Sequence, residues 1–254
     1  MSGAEPIVLS ARGLSKRFGA VIAATQIEID VPTGQRLSLI GSNGAGKTTF
    51  VNMVTGHLRP DTGSISLDGR DITGFAPRAI KRLGVVRSFQ IPQLCGELTA
   101  LDNMMVAAAC GDATLSFTRP ARTAANRDRA MQMLERFSLG QHAQRPVSEL
   151  PGGVRKLLDI AMAMTSRPRI LMLDEPTSGV SADEKFPMMD TIMHAVGGND
   201  VTVIFVEHDM DIVERYAQRV IAFYSGRVIA DGAPAQVLTA EDVRRYVTGG
   251  ALPA

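Results

Sequence analysis

The residues Gly41, Ser42, Asn43, Gly44, Ala45, Gly46, Lys47 and Thr48 fit the spacing G-x-x-x-x-G-K-[ST] in full, and Thr49 carries the stretch into an apolar-periodic segment. Glycines so spaced let successive backbone N–H groups turn inward around phosphate oxygens, and a following helix adds its dipole. Lys47 supplies a point charge suited to β- and γ-phosphates, and the Thr48 hydroxyl suits Mg²⁺. The implied chemistry is nucleoside triphosphate binding. A glycine-rich connector that happens to hold Lys-Thr is the competing reading, and the strand and helix patterns flanking the loop argue against it.

Asp174 and Glu175 close the apolar run Ile170–Leu173. An acid at the C-terminal end of a buried strand faces the crevice where open α/β sheets bind ligands. Asp174 is placed to hold Mg²⁺, and Glu175 to polarise a water attacking a γ-phosphate. A strand-end acid capping the next turn is the plainer alternative, less suited to two acids than to one. His208 follows a second apolar run, Val201–Val206, and is expected at the same sheet edge, where a histidine can hydrogen-bond a γ-phosphate. His57, His142 and His194 have no such context.

Several elements must position these groups. Ile27–Val31 and Arg36–Ile40 read as strands separated by Pro32-Thr33-Gly34. Phe50, Val51, Met53 and Val54 have helical spacing, closed by Gly56 and Pro60. Gly63–Asp68 alternates as a half-exposed strand does. From about Leu98 to Met164 the spacing is helical, with Asn126–Phe137 as the clearest helix. Beyond Arg169 the α/β pattern returns: strands in RILMLD and VTVIFVEHD, a crossover helix over Ala182–Val196, a hairpin turning at Ser225-Gly226, and a last helix over Ala240–Val247. The expected organisation is one unit over 5–250, with an α/β core at 5–97 and 165–250 and a helical insertion at 98–164.

The chain has 254 residues, 45% apolar and 21% charged, which is enough apolar material for a sizeable core. Its 27 basic and 26 acidic residues give a net charge of +1, so no general pull towards nucleic acid or an anionic membrane follows. Met104–Cys110, the longest apolar stretch, is too short to span a bilayer. The beginning MSGAEPIVLSARG has no secretory pattern, and Cys95 and Cys110 make no disulfide framework, so reduced thiols in a cytosolic compartment are expected.

With these motifs the chain resembles the nucleotide-binding subunits of ABC transporters, from about Ile7 to Tyr246. The resemblance implies a P-loop NTPase (RecA-like) fold: a parallel-sheet core, an antiparallel β subdomain and an inserted α-helical subdomain. It implies ATP and Mg²⁺ as ligands and ATP hydrolysis as the activity. Phe18 matches the aromatic that stacks on adenine, with core packing as the alternative. Gln90 matches the glutamine that touches Mg²⁺ and the attacking water, with a solvated loop residue as the alternative. Leu150-Pro151-Gly152-Gly153-Val154 stands where the family has LSGGQ, a motif that reaches the other subunit's nucleotide across a dimer.

Two departures matter. Pro151 and Val154 replace the signature serine and glutamine, and proline has neither hydroxyl nor N–H, so a hydrogen bond to the partner's γ-phosphate and a helix-end donor are both expected to be lost. Ser181 stands where the family usually has an aspartate. One composite site is therefore expected to be weaker than the other.

RSFQIPQLCGELTALDNMMVAAA over 87–109, with DEPTSGVSADEK and VEHDMDIV, resembles the branch that imports branched-chain amino acids and related solutes such as amides and urea. The implied partners are a second ATPase subunit in a hetero- or homodimer, two transmembrane permeases and, indirectly, a periplasmic binding protein, with no nucleic acid. The implied location is cytoplasmic, peripheral on the inner face of the membrane, with a permease coupling helix near Ile91–Glu97. A P-loop kinase or GTPase, and a regulatory ATP switch with weak hydrolysis, are the readings from other classes.

Overall fold

The computed structural model describes residues 6–88, 92–111, 123–197 and 201–249. Two sheets form the frame. Strands β1 (Ile7–Phe18), β2 (Val21–Pro32), β4 (Thr62–Leu67) and β5 (Arg70–Asp71) make an antiparallel sheet in the order β2-β1-β4-β5. The larger sheet, in the order β10-β9-β3-β8-β7-β6, contains β3 (Arg36–Gly41), β6 (Val85–Ser88), β7 (Ile170–Asp174), β8 (Thr202–Val206), β9 (Arg219–Tyr224) and β10 (Arg227–Gly232). Its strands run parallel except for the β9–β10 hairpin.

The apolar runs explain the central strands. In β7, Ile170 and Met172 pack into one buried cluster with Phe50, whereas Leu171 and Leu173 pack into another on the opposite face. In β8, Ile204 and Val206 face the first cluster while Val203 and Phe205 face the second. A strand covered on both faces has no polar face, so its sequence reads as continuous rather than alternating.

Helices α1 (Lys47–Val54) and α2 (Pro77–Arg82) lie in the first part of the chain. Between β6 and β7 come α3 (Ala100–Gly111), α4 (Ala124–Arg136) and α5 (Gly152–Met164); then α6 (Ala182–Val196), α7 (Met210–Tyr216), α8 (Pro234–Thr239) and α9 (Glu241–Val243), which runs on as a wider turn to Thr248. The helix read at 126–137 starts two residues earlier, because Thr123 caps it by accepting the Asn126 N–H. α6 runs over the predicted residues.

One strand reading changes. The strand expected at Ile27–Val31 is the second half of β2, and its partner β1 does not read as an alternating strand because Gly13 (φ +58°) and several register shifts break its pattern. The strand expected over Val201–Val206 is β8, and past Val206 the chain leaves the sheet, so that His208 follows the strand end.

Register places the functional edge. Leu39 pairs with Val206, and Val206 pairs with Asp174, so β8 and β7 end at one level while β3 runs on to Gly41 beside β9. Just past His208, the Asp209 carboxylate caps α7 and accepts a bond from Lys185 Nζ at 2.8 Å. Lys185 holds the Asp209 carboxyl below its ordinary value of 3.8. A depressed acid contributes stability above its unfolded pKa and loses it as pH falls through the folded value. Asp209→Asn keeps a capping oxygen but not the ion pair, so urea unfolding should show a loss of about 0.5 kcal/mol at neutral pH. The difference from the parent should shrink as pH falls below 3.8 and vanish once the Asp209 carboxyl is protonated in the folded state as well.

Candidate active site

The phosphate-binding pattern is folded around glycines that nothing else can replace. At Gly41 (φ +150°) an added Cβ would lie 2.5 Å from the Phe223 carbonyl oxygen. At Gly46 (φ +109°) it would lie 2.7 Å from the Ala23 oxygen and 3.2 Å from Gly226 Cα. The hairpin turn thus buttresses the loop: Gly226 N–H donates to the Ala45 oxygen at 2.9 Å, and Thr25 N–H to the Gly226 oxygen at 2.8 Å. Gly46 ends the loop as the N-cap of α1 and has no side chain to satisfy the first-turn amides.

Lys47 is 5% exposed, and its Nζ donates to the carbonyls of Gly41 at 2.5 Å and Ser42 at 3.1 Å. Burial pulls its pKa down, while the nearby Glu175 and Asp174 push it up. An anion placed against the loop would relieve that burial cost. Ser42, Asn43, Gly44 and Thr48 are exposed, Thr49 is half-buried and Ala45 is buried. The loop therefore offers an open rim over a buried cation. Its backbone, hydroxyl and ammonium are the donor set that a nucleotide phosphate chain needs.

Across the sheet edge stand the acids. His208 Nε2 lies 3.0 Å from Glu175 Oε1, which joins the ends of β8 and β7. Glu175 adopts φ +48°, with its N–H donating to the Val206 oxygen at 3.0 Å. Arg87 forms an ion pair with Asp174 and donates to Asn52 Oδ1 of α1 at 2.7 Å. Glu207 is buried, and its Oε1 accepts from Thr177 N–H at 3.0 Å and Thr177 Oγ1 at 2.8 Å. Arg87 and Glu207 were present in the motifs as letters, but their partners are 30 to 87 residues away in sequence.

Phe18 ends β1 and is 52% exposed, which removes core packing as its explanation. Lys16 Nζ stands 5.8 Å from its ring centroid. Gln90 and Ile91 lie outside the described residues. The chain on either side of them is tied to α5: Asp159 accepts from Ser88 Oγ at 2.6 Å and from Gln93 N–H at 3.2 Å. Pro151 is the N-cap of α5 and makes no side-chain capping bond, so Gly152 and Gly153 present only backbone at the helix start. Ser181 stands at the N-cap position of α6 without a side-chain capping bond, and its hydroxyl donates to Glu184 Oε2 at 2.8 Å.

Among the described residues no three His, Cys, Asp or Glu side chains form a metal-binding cluster. Thr48 and Asp174 are hard oxygen donors of the kind that holds Mg²⁺ together with substrate phosphates and water, a mode that needs no all-protein cage. No helix among the described residues is long and apolar enough to cross a membrane.

Comparisons with known proteins bear on the whole chain. The sequence model of the ABC transporter family matches residues 24–178. The high-affinity branched-chain amino acid transport ATP-binding protein BraF of Pseudomonas aeruginosa is 37% identical over 253 residues, covering 96% of this chain and 98% of the relative. LivG of Escherichia coli, which carries the same description, is 36% identical over 251 residues, again covering 96% and 98%. Among solved structures, an ABC transporter's ATP-binding cassette in its ADP conformation superposes with a TM-score of 0.83 at 29% identity, covering 94% of this chain and 97% of that one. The expected α/β P-loop NTPase fold, with its antiparallel β and helical parts, is borne out. The chain belongs to the ABC transporter family, as a nucleotide-binding subunit that hydrolyses ATP.

Proposed function

We propose that this chain powers an importer of branched-chain amino acids, with residues 5–250 as one ATP-binding domain. Its α/β core is 5–97 and 165–250, and 98–164 is the helical subdomain. The observation that carries the reading is the convergence of Lys47, Asp174, Glu175 and His208 at one edge of the parallel sheet. The cargo assignment rests on the printed descriptions of relatives aligned over 96% of the chain.

In this reading Phe18 stacks on the adenine, while Gly41 through Thr49 wrap the phosphates. Lys47 bonds the terminal phosphates in exchange for the Gly41 and Ser42 carbonyls it now contacts. Thr48, Asp174 and Gln90 hold Mg²⁺, which when bound screens phosphate charge and fixes its orientation. Glu175 accepts a proton from the attacking water, and His208 holds the Glu175 carboxylate at the sheet edge. Gln90 reports the site's state to the helical segment through chain anchored on Asp159.

Hydrolysis pairs this chain with a second ATPase subunit, and the work is done on two permeases fed by a periplasmic binding protein, at the inner face of the membrane. The coupling surface includes Gln93, Cys95 and Glu97, which are exposed, whereas Leu94 packs partly against the helical core. A second reading, a regulatory switch, is favoured only by Pro151 and Val154. These residues leave the signature with backbone donors and weaken the site offered to the partner. Reconstitution with the permease pair and binding protein of the same transporter tests the proposal. Labelled leucine should be taken up in an ATP-dependent way and urea should not; uptake of urea or an amide alone would reassign the cargo.

A further inference from the structure

Lys156 lies on the first turns of α5, and its half-buried ammonium bonds outside its own helix. Nζ donates to the Glu175 carbonyl at 2.9 Å and to the Ser178 carbonyl at 2.5 Å. Both carbonyls belong to the loop that follows β7. Glu175 sits there at φ +48°, a left-handed conformation that a residue with a Cβ keeps only where its surroundings enforce it.

The surroundings are visible. Val206 accepts the Glu175 N–H, the buried Glu207 carboxylate holds Thr177, and Lys156 gathers the carbonyls at both ends of the turn. Of these ties only Lys156 comes from α5. The ammonium also faces the carboxylates of Glu207 and Glu175, which oppose the downward pull of burial on its pKa. Val154 and Arg155 precede it on the helix, and Gly152-Gly153 begin that helix at an exposed end.

We propose that Lys156 is a positioning residue for hydrolysis: it locks the Glu175 backbone in its left-handed conformation and so aims the carboxylate held by His208. The inference rests on the role proposed for Glu175. It also gives α5 a mechanical task, because the helix that presents Gly152-Gly153 is bolted to the loop carrying this chain's own glutamate. Without the ammonium two carbonyls lose their shared donor and the loop relaxes towards ordinary φ values. The carboxylate then moves away from its aim. Arginine reaches the same pair with two N–H groups of one fork, so it should substitute.

The test measures ATP turnover by the assembled transporter and ADP affinity of the same preparations, for Lys156→Met, Lys156→Arg and Glu175→Gln. Lys156→Met should lower kcat by about 10- to 100-fold, the scale of a misplaced catalytic group. KM for ATP and the ADP affinity should stay within about two-fold, which marks an effect on the reacting state rather than on binding. Lys156→Arg should recover most of the turnover. The proposal is overturned if Lys156→Met keeps its kcat, if Lys156→Arg is no better than Lys156→Met, or if Lys156→Met loses ADP binding along with turnover. Turnover retained by Glu175→Gln would instead remove the role of Glu175 itself. Turnover lost in Glu175→Gln but kept in Lys156→Met would remove only the role of Lys156.

Discussion

Lys47→Ala is expected to weaken ATP binding by about 10- to 100-fold, the worth of a hydrogen bond to a charged group, and to remove measurable hydrolysis. Lys47 is 5% exposed, and among the described residues its ammonium hydrogen-bonds the backbone carbonyls of Gly41 and Ser42. Burial lowers its pKa, so the protein carries a poorly solvated charge that an anion would stabilise. That same imbalance predicts little change in thermal stability, because alanine removes a desolvated cation along with its two bonds. Titration with a fluorescent ATP analogue, beside a melting curve, checks both halves. Unaltered affinity and turnover would sink the assignment of Gly41–Thr48 to phosphate, and a collapsed melting curve would make Lys47 a structural residue.

The second large effect is expected at Glu175. Glu175→Gln should lower phosphate release by the assembled transporter by about 10²- to 10⁴-fold, the range for losing a general base. Nucleotide affinity should hold, since glutamine is isosteric and can still bond His208 across the 3.0 Å gap. The left-handed backbone at Glu175 is unchanged by this swap, which confines the loss to proton acceptance. Phosphate release measured against ADP affinity separates the two. Turnover within a few-fold of the parent would turn the reading towards the regulatory switch that Pro151 and Val154 already suggest.

Much of the frame is legible in the order of residues. β7 and β8 announce themselves as unbroken apolar runs, because both of their faces are covered and no solvent-facing residue interrupts them. The hairpin turn at Ser225-Gly226 was legible too, from local turn chemistry. β1 was not. Its alternation is broken at Gly13 and by register shifts, so its identity as a strand comes from pairing with β2 and β4 rather than from its own pattern. Phe18 was ambiguous for a similar reason, since a terminal aromatic on a strand packs or projects according to what lies beside it.

The order of residues alone determined the phosphate loop, the acids at the end of β7 and the histidine past β8. Those features are backbone geometry and strand ends, set by glycines and apolar runs within a few neighbours. Tertiary structure decided which side chains act on them. Arg87 reaches Asp174 across 87 residues, and Lys156 reaches Glu175 and Ser178 across 19 and 22. Long cations can satisfy many partners, and only the register of β3, β8, β7 and β6, with α5 laid beside them, selects these.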